Sequence, residues 1–368
     1  MNILIDVGHP AHVHYYKNLA KELLEFGHSV FWTVKDIPMA RQLLTAYGFT
    51  YEVLPGKSDH LAGKILKQIS YGGRLLRFCK KHKITVAIGT SVTIAHLSLV
   101  SKVKSILLDD DDDEVQPLVT KYVNPFATTL LSPDALLGKR KRKDTIYYPG
   151  YHELAYLHTN RFQPDPSVLS EVGLQPGESF FMMRFNVFKA HHDRGAKGLS
   201  LEQKLQLTEI LKPYGKIFIT TERNIEPELQ VYQLTLSPEK AHSLMAYANL
   251  FLGDSQTMAS EAAVLGVPSL RCNTFAGRLS TLNEQEMKYG LTFGFHPGDF
   301  ERMLLKLKEL LAMPNLREEW QSRRQKMLSE KIDLTAFMLW FLVGYPQSIT
   351  RLQKDQQVFD QFRTLESA

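Results

Sequence analysis

The sequence predicts an α/β protein of two Rossmann-like halves, each built on a parallel sheet, followed by a helical C-terminal segment that braces them. Three observations predict it. Short apolar runs alternate with amphipathic stretches in two separate series. A segment at about residues 144–165, rich in Tyr, Pro and Gly, interrupts the rhythm between them. The chain has 368 residues, 44% hydrophobic and 23% charged, enough for about two domains and too apolar for disorder to dominate.

In the first half, residues 2–7 (NILIDV) read as a strand, and Tyr16, Leu19, Leu23 and Phe26 recur at helical spacing until Gly27 ends the helix. Residues 29–34 (SVFWTV) form a second buried-type strand. A helix over 39–47 ends at Gly48, and residues 51–54 make a third strand. A helix around 65–81, a strand at 85–88, a helix near 94–100 and strands at 105–108 and 128–131 complete the series. About six alternations of this kind argue for a parallel sheet covered on both faces.

The second half opens with a strand at 180–184 (FFMMR). Ser200 and Gln203 then have the spacing of a capping box for a helix through Lys212. Strands are expected at 216–220, 232–236, 250–252 and 268–271, with helices near 241–248, 256–265 and 300–311. The division that follows is 1–145, a linker at 146–165, 166–315, and a helical tail at 316–368 anchored by Trp320, Met327, Phe337, Trp340 and Phe341. In open parallel sheets ligands bind beyond the carboxyl ends of the strands, which places a site in a central cleft that the two halves face.

Several classes are excluded. Lys plus Arg number 44 against 39 Asp plus Glu, a net charge of +5. That is compatible with phosphates or an anionic surface but too dilute for a dedicated nucleic-acid binder. Cys79 and Cys272 stand alone, without a CxxC pair, so neither a disulfide framework nor a thiol zinc site is expected, and a cytoplasmic setting is. MNILIDVGHP lacks a basic leader and a cleavage site, and it reads as the first strand. The run FMLWFLV at 337–343 is about two helical turns, too short to span a bilayer.

Neither GxGxxG nor GxxxxGK[ST] occurs. Instead the first strand runs into Gly8-His9-Pro10-Ala11-His12-Val13-His14. Imidazoles there can take a proton from a hydroxyl nucleophile, or simply cap loop and helix; a metal site is not expected, since no carboxylate stands beside them at ligand spacing. The second informative stretch is Asp254-Ser255-Gln256-Thr257 through Glu261, where a strand meets a helix that Ser255 can cap. Free amides at such a helix start favour a phosphate, and Glu261 could hold two sugar hydroxyls.

Two charge runs remain. Residues 109–114 (DDDDDE) follow the strand at 105–108, either as a solvated loop or with one carboxylate, Asp112 or Glu114, orienting a histidine or binding an acceptor. Hard cations take oxygen ligands, so a divalent metal at this run is an open alternative. Residues 139–143 (KRKRK) either are solvated or meet an anionic membrane from its inner face. Arg184, and His192 within 189–195, suit a leaving diphosphate, or His191 and His192 are simply exposed loop residues.

Gly8 through His12-Val13, Leu19-Ala20, Leu23 and Gly27-His28-Ser29-Val30 resemble the opening of GT-B glycosyltransferases of the MurG type. Asp254-Ser255 to Glu261-Ala262, Gly266-Val267-Pro268 and Arg271 are similar to the nucleotide-binding signature those enzymes share with non-hydrolysing UDP-N-acetylglucosamine 2-epimerases. Over about residues 1–315 the chain looks most like the DUF354 family, placed in the same superfamily. The resemblance implies a GT-B fold and a nucleoside diphosphate sugar, UDP foremost, as donor to a glycan or lipid-linked acceptor. It implies no cofactor and no metal. It makes His12 the first-loop base or donor-site contact, with His9 beside it. Ser255, Gln256 and Thr257 become the diphosphate turn, Glu261 the ribose ligand, Arg184 a diphosphate contact, and Met245 a neighbour of the base. His9-Pro10-Ala11 replaces the glycine-rich first loop of the transferases, and the Arg-Pro-Glu and His-Val-Glu-Ala-Gly motifs of the epimerases are missing. Transfer is therefore the leading expectation, epimerisation the alternative, and a non-enzymatic nucleotide-sugar-binding or scaffold protein the second alternative.

Overall fold

In the structure, a computed structural model, residues 1–54, 61–175, 177–185, 198–221 and 225–363 are described. The chain divides into two compact units, Met1–Arg161 with Lys331–Ala368, and Phe162–Glu330.

The first unit contains β1 (Asn2–Val7), α1 (Pro10–Glu25), β2 (Ser29–Lys35), α2 (Pro38–Ala46), β3 (Tyr51–Leu54), α3 (Leu61–Lys81), β4 (Val86–Gly89), α4 (Val92–Val100), β5 (Lys104–Leu108), α5 (Pro117–Tyr122), β6 (Thr129–Pro133), β7 (Ile146–Tyr148) and α6 (Leu154–Leu157). Its seven strands are all parallel, in the order β3-β2-β1-β4-β5-β6-β7. Ile3, Leu4, Ile5 and Val7 are fully buried, as a central strand covered by helices on both faces requires. Leu4 and Ala87 pack with Tyr71, Leu75 and Phe78 of α3 and Ile94 and Leu97 of α4 in one continuous cluster.

The second unit contains α7 (Ser167–Glu171), β8 (Phe180–Phe185), α8 (Leu201–Leu211), β9 (Lys216–Thr221), α9 (Ala241–Tyr247), β10 (Leu250–Gly253), α10 (Gln256–Leu265), β11 (Ser269–Cys272), α11 (Ser280–Met287), β12 (Thr292–Phe295), α12 (Phe300–Leu311) and α13 (Leu316–Glu330). Its parallel strands run in the order β12-β11-β10-β8-β9. The capping box of α8 forms as its sequence implies, with Ser200 Oγ accepting from Gln203 N and Gln203 accepting from Ser200 N.

The C-terminal segment splits between the units. In α13, Trp320 donates to the Leu291 carbonyl at 2.9 Å and Arg324 to the Val264 carbonyl at 2.8 Å, satisfying carbonyls at the end of α10 and ahead of β12. Two further helices, α14 (Leu334–Val343) and α15 (Gln347–Lys354), belong to the first unit. Asp333 caps α14 by accepting from Ala336 N, and its other oxygen accepts from Arg161 Nε at 2.6 Å. Phe337 then packs against Phe341, Phe359 and Phe362. The apolar run at 337–343 is thus a docked core helix, and no described helix is long and apolar enough to cross a membrane.

Three expectations change. Residues 146–165 are not a plain linker, because β7 extends the first sheet and α6 packs with α1. The tail at 316–368 is not one unit, since it crosses back after Glu330. No strand forms at 232–236. That stretch ends a 3-10 turn begun by Pro227 and contributes a single bridge, Ile219 to Gln233, while Val231 points to solvent.

Candidate functional site

Each sheet has one point where strand order reverses, and in a doubly wound sheet the loops diverging there leave a crevice for a ligand. In the first sheet it lies between β1 and β4, in the second between β8 and β10.

At the first point Gly8 N–H donates to His12 Nδ1 at 3.2 Å, and His12 Nε2 lies 2.7 Å from Thr90 Oγ1. An imidazole nitrogen that accepts an amide hydrogen carries no proton, so the neutral ring holds its proton on Nε2 and donates it to Thr90. Burial foremost, then the charges of His9, His152 and Lys35, hold the His12 pKa well below the usual histidine range. The first-loop histidine is therefore a fixed neutral donor, and its expected role as a base would need the other tautomer. His9 caps α1 by accepting from Ala11 N, and His14 is buried between Tyr47 and Tyr156. His9 thus has the capping role left open in the sequence, while His14 packs instead of capping.

Asp6, in β1, is wholly buried and accepts from three hydroxyls: Thr33 at 2.7 Å, Tyr71 at 2.5 Å and Ser91 at 2.5 Å. This carboxylate ties β1, β2, α3 and the start of α4 together beneath the loop, as a buried charge must be tied. A charged residue inside an apolar strand was the available signal for it. Thr90 and Ser91 carry no motif.

The sign of one pH dependence follows. Because His12 resists protonation when folded, the unfolded chain takes up that proton first, so stability falls as pH drops below about 6.5. The melting midpoint is expected to fall between pH 7.5 and 5.5 by less in His12→Gln than in the wild type; equal falls would remove His12 as a source.

The acidic and basic runs meet each other. Arg140 is buried, and its Nη1 donates to Asp109 Oδ2 and Asp113 Oδ1, both at 2.9 Å, while Nε donates to Ser132 Oγ at 3.0 Å. Arg142 donates to the Asn124 and Ala127 carbonyls at 2.6 and 2.8 Å. Two of the five cations expected at a membrane are thus internal, leaving Lys139, Lys141 and Lys143 outside. The catalytic expectation for Asp112 and Glu114 also changes. Glu114 is exposed, and the Asp112 carbonyl closes a turn onto Val115 and Gln116. The carboxylate nearest a histidine is instead that of Asp110, whose Oδ1 lies 3.3 Å from Nδ1 of buried His152. Sequence reasoning passed over both.

At the second point Arg184, next to last in β8, is in register with Gly253 of β10, and Asp254 N donates to the Arg184 carbonyl at 3.1 Å. Gly253 has φ +158°, and a Cβ there would stand 2.1 Å from the Arg184 carbonyl oxygen. Gly253→Ala is expected to cost about 2–3 kcal/mol in urea denaturation. Ser255 caps α10 by accepting from Met258 N at 3.3 Å, and Gln256 and Thr257 are partly exposed in its first turn, whose amides have no intrahelical acceptor. Arg184, Asp254, Ser255, Gln256 and Thr257 are thus brought together.

Other expected contacts are not. Glu261 is buried with His242, Oε1 to Nε2 at 3.0 Å, rather than open to a ribose. Met245 is fully enclosed in α9 and presents no surface to a base. Arg271 is likewise internal, donating to Thr292 at 3.1 Å and pairing with Glu286 at 3.1 Å. His191 and His192 lie outside the described residues.

Among known proteins, an uncharacterised protein of Methanocaldococcus jannaschii is 22% identical over 74% of this chain and 82% of its own. A co-structure of S. aureus MnaA with UDP superposes with TM-score 0.67 at 12% identity, covering 95% of this chain and 97% of that one. A UDP-N-acetylglucosamine 2-epimerase gives 0.62 at 17%, covering 94% and 96%. The glycosyltransferase VinC in complex with dTDP gives 0.59 at 13%, covering 95% and 100%. The fold is GT-B. Residues 1–290 match the model of DUF354, described as a protein of unknown function, and the chain belongs to that family.

Proposed function

We propose that this chain is a sugar-nucleotide enzyme, a glycosyltransferase that moves a sugar from a nucleoside diphosphate, UDP foremost, to a hydroxyl of a glycan or lipid-linked acceptor. The observation that carries the reading is the coincidence of chemistry with topology. Arg184 and the capped start of α10 sit at the reversal of the second sheet, and His12 with Thr90 at the reversal of the first. In the second unit the amides of Gln256 and Thr257 and the Arg184 guanidinium suit a diphosphate. In the first unit Thr90 presents an acceptor with a hydroxyl held by His12. The solved proteins that hold UDP or dTDP support the nucleotide class, and the proposed transfer calls on no cofactor beyond the donor itself.

The test is a thermal shift with UDP, dTDP and their sugars. UDP is expected to raise the melting midpoint, as any ligand of the native state does, and Ser255→Ala with Arg184→Met to cut the affinity about tenfold or more. Sugar release from a UDP-sugar that depends on an added acceptor marks a transferase. Isomerisation of UDP-N-acetylglucosamine alone marks the epimerase alternative. If no nucleotide shifts the midpoint, the reading fails and a non-enzymatic scaffold takes its place.

A further inference from the structure

Asp109, Asp110 and Asp111 follow β5 directly, and one carboxylate oxygen of each lies within 4.8 Å of the other two. Arg140 is directed to Asp109 and Asp113. The Arg140 charge also reaches Asp110 and Asp111, but among the described residues neither of these carboxylates forms a direct ion pair with a lysine or arginine; Asp111 accepts from Gln116, and Asp110 faces His152. Crowding of this kind is unfavourable unless a cation is shared.

The independent observation is His152. Its side chain is 1% exposed, yet neither ring nitrogen makes a hydrogen bond, although Nδ1 is 3.3 Å from Asp110 Oδ1. A buried imidazole whose two nitrogens make no hydrogen bond costs stability and calls for a ligand. The Tyr148 hydroxyl, also buried and unbonded, is close enough to Asp110 to feel its charge.

We propose that Asp109, Asp110 and Asp111, with His152 as the adjoining nitrogen donor, form a binding site for one divalent cation of the Mn2+ class. Opposite ligands at about 2.2 Å from a metal stand about 4.4 Å apart and adjacent ones about 3.1 Å. The 3.3 Å between His152 and Asp110 is close to the separation of adjacent ligands, and the carboxylate oxygens, all within 4.8 Å of one another, need only small side-chain movements to share one ion. A nitrogen among carboxylates selects a first-row transition ion over Ca2+ or Mg2+. Water on the ion would give the Tyr148 hydroxyl the partner it lacks.

The site stands independently of the sugar-nucleotide reading, so the test omits nucleotide. The full-length chain is titrated with Mn2+ while free ion is followed by electron paramagnetic resonance. One saturable site is expected. Asp110→Asn and His152→Gln are each expected to weaken it about tenfold or more, and Glu114→Gln, exposed in the same run, to leave it unchanged. Pulsed resonance on the wild-type complex is expected to show nitrogen-14 modulation from the imidazole, a readout that does not depend on any variant folding. Absence of saturable binding, equal weakening by Glu114→Gln, or a bound ion without nitrogen modulation would each overturn the proposal.

Discussion

Replacing Arg140 with methionine is expected to destabilise the first unit by about 3–5 kcal/mol, while Lys139→Gln and Lys143→Gln change stability by less than about 0.5 kcal/mol. All three lie in one run of five cations, so the difference comes entirely from burial. The Arg140 side chain is 1% exposed and donates to Asp109, Asp113, Ser132 and the Asp111 carbonyl. Methionine keeps much of the stem volume but leaves two carboxylates, 12% and 4% exposed, without their cation. Asp113 would retain one donor, the Lys141 amide at 2.7 Å. Arg140→Lys is expected to fall between, because an ammonium preserves charge but cannot reproduce the guanidinium fork. Urea denaturation of the four variants checks this. A methionine variant as stable as the two glutamine variants would mean that the runs are independent solvated loops.

That pairing shows why the site was less legible than the fold. Buried parallel strands announce themselves by continuous apolar runs, so β1, β2, β5, β8 and β10 could be read from NILIDV, SVFWTV, SILL, FFMMR and LFL alone. Elements without such a run escaped. The three residues of β7 lie in a stretch dense in Tyr and Pro, β12 contains a glycine, and α11 (STLNEQEM) has no apolar stripe. The strand expected at 232–236 failed for the opposite reason: its apolar alternation meets the edge strand β9 at one bridge only, Ile219 to Gln233, with Leu234 N donating to the Ile219 carbonyl at 2.9 Å. Among the site residues, Ser255 was legible because a cap is a local interaction. Arg140 and Asp113, 27 residues apart, Asp110 with His152, and His12 with Thr90, 78 residues apart, are joined only by tertiary structure. Single-sequence patterns carry no information on such pairs. The same limit explains Glu261, which local spacing left open and which the fold pairs with His242.

The tautomer of His12 leads to the second large effect, on turnover. If the ring serves as a base, no amide can replace it, and His12→Gln, His12→Asn and His12→Ala should be equally inactive. With Gly8 N–H held on Nδ1, however, the lone pair needed for that role is occupied and Nε2 bears the proton. Thr90 Oγ1 then uses a lone pair for His12 and has its own proton to give, to the neighbouring Tyr16 hydroxyl or to an acceptor oxygen, while its partial exposure leaves it reachable. Glutamine places an N–H near the position of Nε2, whereas asparagine places its amide nearer Nδ1. Glutamine is therefore expected to lower kcat/KM about tenfold, and asparagine and alanine by about 10²–10³, the usual cost of losing a positioned donor. Thr90→Ser should retain most activity and Thr90→Val should match His12→Ala, since valine preserves the shape and removes the hydroxyl. UDP affinity should be unchanged throughout, because the groups proposed to bind it belong to the second unit. Equal loss in the glutamine and alanine variants, with Thr90→Val active, would restore His12 as the base and require Gly8 to release its amide during the reaction.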